Sequence, residues 1–144
     1  MAAIHSAFAT FLANARAALE GVTDPRERLR TLAFLHLEGM GRNRSLAVVF
    51  QTELRQSAKF LRQFSQEQLI EYFDLIRETV RAGQRSGVFR ADVSDKIVAN
   101  CFFGALDEMV TSWILSERDY SLKGAAAPIV DLVLHGLNTP EAKP

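Results

Sequence analysis

Residues 94–118 read SDKIVANCFFGALDEMVTSWILSER, a stretch with no proline and with Gly104 as its only glycine. Ser94 is a good helix start, because its side chain can accept from an orphan helix N–H and Asp95 suits the positive end of the helix dipole. Val98, Phe102, Ala105, Leu106, Met109 and Trp113 recur at helical spacing as one apolar stripe. A second line, Ile97, Cys101, Gly104 and Ile114, widens that stripe beyond what one neighbouring helix covers. At about 1.5 Å of rise per residue such a helix is roughly 37 Å long, a full domain diameter. Two arrangements accommodate it. It is either the central core helix of a monomer, or a helix buried once by its own chain and once by a second copy, and the width of the apolar surface favours the second.

With 144 residues the chain fits one domain, residues 1–144, large enough to bury a core without a disulfide or metal. With a hydrophobic content of 48% and a formal net charge of zero, nothing suggests disorder or a bulk attraction to nucleic acid or acidic membrane. The single cysteine, Cys101, cannot close an internal disulfide, which suits a reducing cytoplasm, and its helical position reads as a packed, inert thiol. No apolar run approaches the roughly 20 residues of a membrane span, and residues 1–20 lack the basic leader of a signal peptide. The expected setting is cytoplasmic.

The rest of the chain is also helical. Ile4, Phe8, Phe11, Leu12, Ala15 and Leu19 give a first amphipathic helix, Ala2 to Glu20, stopped by Gly21. Opening directly on an amphipathic helix suggests that something upstream has been removed or was never there. Asp24-Pro25 opens a second helix, capped by Asp24 with Pro25 at its first position, running to Gly39-Met40-Gly41. Asn43-Arg44-Ser45 caps a third along Leu46, Val49, Phe50, Glu53 and Leu54, with Ser57 interrupting before AKFLRQF. Ser65 with Gln68 forms a capping box for a helix that runs to about Ser86, with Gly87 as its left-handed stop and Val88 and Phe89 folding back. After the long helix, Ser121 can cap a last one from Leu122 to His135, with Pro128 kinking it or delaying its start. No segment alternates in the manner of a strand. The expectation is an all-α domain of six or seven helices.

Residues for catalysis or metal binding do not converge in the sequence. No Glu is followed three residues on by a His, and His5, His36 and His135 stand far apart. His36 lies beside apolar positions and reads as a core or boundary residue. There is no phosphate-binding glycine loop and no nucleophile elbow. Asp107-Glu108 reads as one solvent-facing carboxylate and one with a buried partner, so no metal and no enzyme is expected.

Residues 42–62 differ in charge. Arg42, Arg44, Arg55, Lys59 and Arg62 stand against Glu53 alone, a local positive excess in a neutral chain. On a continuous helix Arg55, Lys59 and Arg62 share one face, beside Phe50, Leu54, Phe60, Leu61 and Phe64. That pattern fits a ligand with an anionic head and an apolar tail. It also fits a solvated basic face over an ordinary core, and spacing alone favours the latter.

Three segments, AVVFQTELRQSAKF at 47–60, GQRSGVFRADVS at 83–94 and GALDEMVTSWILSERDYSL at 104–122, resemble the C-terminal effector domain of TetR-type regulators. The branch they resemble is that of the fatty-acid-degradation repressors called FadR, from about residue 20 to Leu137. The resemblance implies that helices 94–118 and 122–136 pair with a second copy as a four-helix bundle. Ile97, Cys101, Gly104, Glu108, Ser112, Leu115, Ile129, Leu132 and Val133 are the interface positions it implies. It further implies a pocket for long-chain acyl-coenzyme A, walled by Phe50, Leu54, Phe60, Phe64, Tyr72, Phe73, Ile76, Phe102, Leu106 and Met109. Arg55, Lys59 and Arg62 are the candidates for the coenzyme's phosphates. The family's N-terminal helix-turn-helix has no counterpart here, so DNA would be read only through that missing domain. A same-fold sensor of another apolar compound and a filled dimerisation module without ligand stay open at this point.

Overall fold

The computed structural model describes residues 2–56 and 66–139, with side chains placed over 5–53 and 67–139. Among these residues stand six α-helices: α1 (Ala2–Leu19), α2 (Pro25–Gly41), α3 (Arg44–Gln56), α4 (Gln66–Arg85), α5 (Asp95–Leu115) and α6 (Ala126–Leu137). A 3-10 turn, Leu122–Ala125, leads into α6. The sole β-type pairing among the described residues is an isolated bridge between Phe89 and Asn138. The expected capping box at Ser65 and the interruption at Ser57 lie outside the described residues.

The hub of the packing is α2, which touches every other described helix and the 3-10 turn. Its local sequence explains both its ends and its faces. The Asp24 carboxylate accepts from Arg26 N at 2.9 Å, and Pro25 occupies the first turn, where no N–H is needed. Leu29, Leu32, Ala33, His36 and Leu37 are buried on several sides of the helix. Arg28, just before Leu29, turns its guanidinium onto the carbonyls of Leu19 and Val22, supplying donors to the C-terminal end of α1. Gly21, with φ 76°, provides the left-handed turn that α1 needs before α2 can double back.

The long helix α5 lies against α3, α4, α6 and α2. Ser94 caps it by accepting from Ile97 N at 3.2 Å, and Asp95 receives Arg77 and Arg81 of α4 at 2.9 and 2.8 Å. It ends at Leu115, three residues short of the expectation. There Arg44 of α3 donates to the carbonyls of Trp113, Ile114 and Ser116 and lies over the Trp113 ring at 4.7 Å. This guanidinium satisfies the orphan carbonyls of the helix end and adds a cation–π contact.

The two apolar lines of α5 separate as the spacing predicts. Val98, Phe102, Leu106 and Trp113 are buried, with Ala105 and Met109 packed against them. Ile97, Cys101 and Gly104 are exposed. The packed thiol expected at Cys101 is therefore corrected: within one chain it faces outward. On α6, Leu132 is exposed and Val133 half-buried.

Two further expectations change. Ser121 makes no side-chain cap, and the chain enters the last helix through the 3-10 turn, so α-geometry starts at Ala126. Pro128 then falls in the first turn of α6, where its missing N–H costs nothing, and it delays the helix instead of kinking it. After α4, Gly87 takes φ 79°, Phe89 N donates back to Gly83 O at 2.9 Å, and the buried Phe89 ring sits on Gly83.

Candidate functional site

Five helices leave a partly open cavity of about 110 Å³ between them. Its walls are Ala7, Phe8 and Phe11 of α1, His36, Gly39 and Met40 of α2, Leu46 and Phe50 of α3, Tyr72 of α4 and Phe103 of α5. The cavity lies between all five, bordered by the buried Phe8, His36 and Tyr72 and the half-buried Phe11, Phe50 and Phe103. The rings pack on one another: Phe11 meets Tyr72 edge to face at 5.0 Å, while Phe8 lies tilted 5.5 Å from Phe50 and Phe103 tilted 4.7 Å from Phe73. Such contacts keep rings upright along the rim of a void that aliphatic side chains would collapse to fill. At Gly39 a β-carbon would meet nothing within 4 Å, so the wall is open there.

One polar pair stands in this apolar wall. His36 Nδ1 and the Tyr72 hydroxyl are 2.8 Å apart, and both side chains are buried. Burial lowers the His36 pKa to about 4, with the Asp107 carboxylate drawing it partly back up, so the imidazole is neutral at pH 7. Burial likewise raises the Tyr72 phenol, which keeps its proton. The pair thus enters the cavity uncharged, with one bond between its members and hydrogen-bonding capacity left on both.

Beside it, the buried Gln51 of α3 donates from Nε2 to Asp107 Oδ1 at 2.8 Å and Thr111 Oγ1 at 2.9 Å on α5. Its Oε1 is buried without a partner. Asp107 is the inward carboxylate of the Asp107-Glu108 pair and Glu108 is exposed, as expected.

A second hollow of about 320 Å³ lies on the other side of the last turn of α2. It is lined by Leu37, Glu38, Gly41, Arg42, Trp113 and residues 119–123. Arg42 there pairs with Glu38 on its own helix. With its charges of both signs it suits water better than a hydrocarbon chain, which leaves the aromatic cavity as the place for an apolar ligand.

Of the wall positions expected from sequence, the structure brings Phe50 and Tyr72 to the cavity. Phe73 stands behind it against Phe103. Ile76, Phe102 and Leu106 are fully buried in the core and Met109 is packed against it, and none of the four lines the cavity. The side chains of Leu54, Arg55, Lys59, Phe60, Arg62 and Phe64 lie outside the described residues. Sequence reasoning missed Phe8, Phe11, His36, Met40, Leu46 and Phe103. The apolar stripe of the first helix and the lone histidine among leucines were the available signals. Of the expected interface positions, Ile97, Cys101, Gly104, Glu108, Ser112, Leu115 and Leu132 are exposed and Val133 is half-buried. Ile129 is 8% exposed and packs into its own chain, because the start of α6 turns that position inward.

Residues 5–136 match the family described as YsiA-like protein, C-terminal region, which takes in α1 as well as the segments quoted above. The fatty acid metabolism regulator protein of Bacillus subtilis (strain 168) is 28% identical over 113 residues, 78% of this chain and 58% of that protein. The chain therefore spans less than two thirds of that relative's length. Among solved structures, the fatty acid degradation regulator FadR from Bacillus halodurans is 30% identical with a TM-score of 0.84, over 94% of this chain and 70% of the other. FadR from Bacillus subtilis, solved in complex with stearoyl-CoA, is 25% identical with a TM-score of 0.85, over 92% of this chain and 72% of the other. These relatives are transcriptional regulators, and no described helix is long and apolar enough to cross a membrane. An all-helical chain with this order of elements and this match belongs to the family of YsiA-like C-terminal regions, as the C-terminal domain of a FadR-like, TetR-type regulator.

Proposed function

We propose that this chain is the effector-sensing and dimerisation part of a cytoplasmic TetR-type repressor. It takes a long-chain fatty acyl-coenzyme A, and its occupancy relieves repression of fatty-acid metabolism genes. The observation that carries this reading is the aromatic cavity built by five helices in a chain similar to a regulator solved with stearoyl-CoA. Its volume is below the roughly 300–1,000 Å³ of drug-sized ligand sites, so a long acyl chain must part the walls or extend past the described residues. That requirement is itself useful. Coupling needs a ligand that favours one arrangement of the helices over another, and a chain that must move α3 or α4 to fit has that preference.

Phe50 and Tyr72 hold the acyl chain in this reading, with Leu54, Phe60 and Phe64 extending the wall and Arg55, Lys59 and Arg62 meeting the phosphates. Dimerisation uses the outward line of α5, through Ile97, Cys101, Gly104, Glu108, Ser112 and Leu115, with Leu132 and Val133 of α6. DNA is read by a separate N-terminal segment of the longer protein, since this chain carries no net positive charge to meet phosphates. No catalytic role is assigned.

Calorimetry with stearoyl-CoA tests the reading. Saturable binding is expected, with free stearate weaker because it offers fewer anionic groups to the arginines. Gly39→Leu sharpens the test. A side chain there enters open space and replaces a glycine within α2, so stability should hold or rise by about 0.5–1 kcal/mol. Stearoyl-CoA affinity should fall. A wild-type protein that binds neither ligand contradicts the proposal.

A further inference from the structure

The cavity wall is apolar except at one point, and a wall of that kind needs a reason for the exception. Placing a hydroxyl and an imidazole among Phe8, Phe11 and Phe103 gives up apolar surface, whereas Phe and Leu at the same positions would pack without loss. The two groups are placed by different helices, His36 by α2 and Tyr72 by α4, and meet at 2.8 Å. Phe11 and Phe103 flank both rings, Phe11 at 6.2 Å from His36 and 5.0 Å from Tyr72, and Phe103 at 5.7 and 6.0 Å. The pair is therefore fixed in direction and cannot swing out to water.

We propose that the Tyr72 hydroxyl, oriented by His36, donates a hydrogen bond to the thioester carbonyl oxygen of the bound acyl-coenzyme A. This inference rests on the functional reading above and adds a binding residue with a polar role. The chemistry follows from the inventory of the pair. In the empty cavity the phenolic proton can satisfy His36 Nδ1. With a carbonyl oxygen present, the neutral imidazole presents Nδ1–H to the phenolic oxygen instead, and the O–H is released toward the ligand. The exchange moves the ring proton from Nε2 to Nδ1 with no net charge, which suits a buried pair in an apolar wall. An acyl thioester has a single oxygen next to its hydrocarbon chain, so a chain lodged among the phenylalanines brings that oxygen and no other to the pair. A saturated hydrocarbon tail alone has nothing to offer it.

The test compares stearoyl-CoA with S-octadecyl-CoA, the thioether that lacks the carbonyl oxygen, by calorimetry on the wild-type chain. The thioether should bind about three- to tenfold more weakly, the range of one net hydrogen bond. In Tyr72→Phe the two ligands should bind equally, by loss of affinity for the thioester alone. Infrared spectra of stearoyl-CoA labelled with ¹³C at the carbonyl should show its stretch shifted to lower frequency in wild type and unshifted in Tyr72→Phe. Equal affinities in wild type, or an affinity gap that survives in Tyr72→Phe, overturns the assignment while leaving the acyl-CoA reading intact. Absence of binding by either ligand overturns both. If Tyr72→Phe does not fold, the wild-type comparison and the infrared shift decide alone.

Discussion

His36 is where one residue governs the most. Folded, its pKa sits near 4 because burial disfavours the imidazolium. Unfolded, it returns to about 6.5. Between those values the unfolded chain binds a proton that the folded chain refuses, so the stabilisation is complete above about pH 6.5 and declines as pH falls toward 4. The full loss is on the order of 3 kcal/mol. Asp95 acts in a lower window. Arg81 and then Arg77 hold its carboxyl at about 2, so its contribution is present above its ordinary 3.8 and disappears as pH falls through 2. Urea midpoints at pH 7.5, 4.0 and 2.0 separate the two windows, and His36→Gln should flatten the first interval. Gly83→Ala would put a β-carbon 2.1 Å from the Phe89 ring, so the ring must move and the unfolding free energy from urea titration should drop by about 1–3 kcal/mol. The stop at Gly87 and the fold-back of Phe89 were legible in the residues themselves. The pairing of His36 with Tyr72 was not, because 36 positions separate them and no local pattern couples such a pair.

Among the elements, α5 has the strongest apolar signal and α2 has the most neighbours. The sequence drew attention to α5 because it is long and free of breaks. It could not mark α2 as the hub, since Arg26, Glu27, Arg28, Arg30 and Glu38 make that helix look like a surface one. Glu27 with Arg30 and Glu38 with Arg42 pair along the surface of α2, while Arg28 instead bonds the end of α1. Arg44 does the same for α5 from the start of α3. Arg44→Ala should lower stability by about 1 kcal/mol, through the lost carbonyl contacts and the cation–π contact. The emission of Trp113, the only tryptophan, should change with it, since its ring loses the overlying guanidinium. An unaltered spectrum and midpoint would show that the contact contributes nothing. The end of α5 and the start of α6 shifted from their expected positions, where a distant arginine and a 3-10 entry stand in place of local caps.

At the scale of the whole molecule, Leu115 is 77% and Leu132 75% exposed, on two helices that pack side by side. Large aliphatic groups left so open on adjacent helices are what an interface between copies would cover. Leu132→Glu should leave the single chain as stable as before, within about 0.5 kcal/mol, because the position is exposed. It should convert a dimer to a monomer by light scattering, because the dimer would bury an unpaired charge. A dimer that survives the substitution would place the contact elsewhere.

Helical content, the order of elements, the caps at Asp24 and Ser94, the glycine stops and the two-sided character of α5 follow from spacing and backbone chemistry between residues a few positions apart. A chain reports such features directly, because helix period and capping act over one or two turns. Which aromatic rings border a void and which fill the core is different. Ile76, Phe102 and Leu106 have the same apolar spacing as Phe50 and Tyr72, yet three are packed solid and two face the cavity. That division depends on the relative rotation of five helices, fixed by contacts such as Arg44 with Trp113 and His36 with Tyr72 that join distant parts of the chain. Only the assembled tertiary structure decides it, because a void is the space that no single helix occupies.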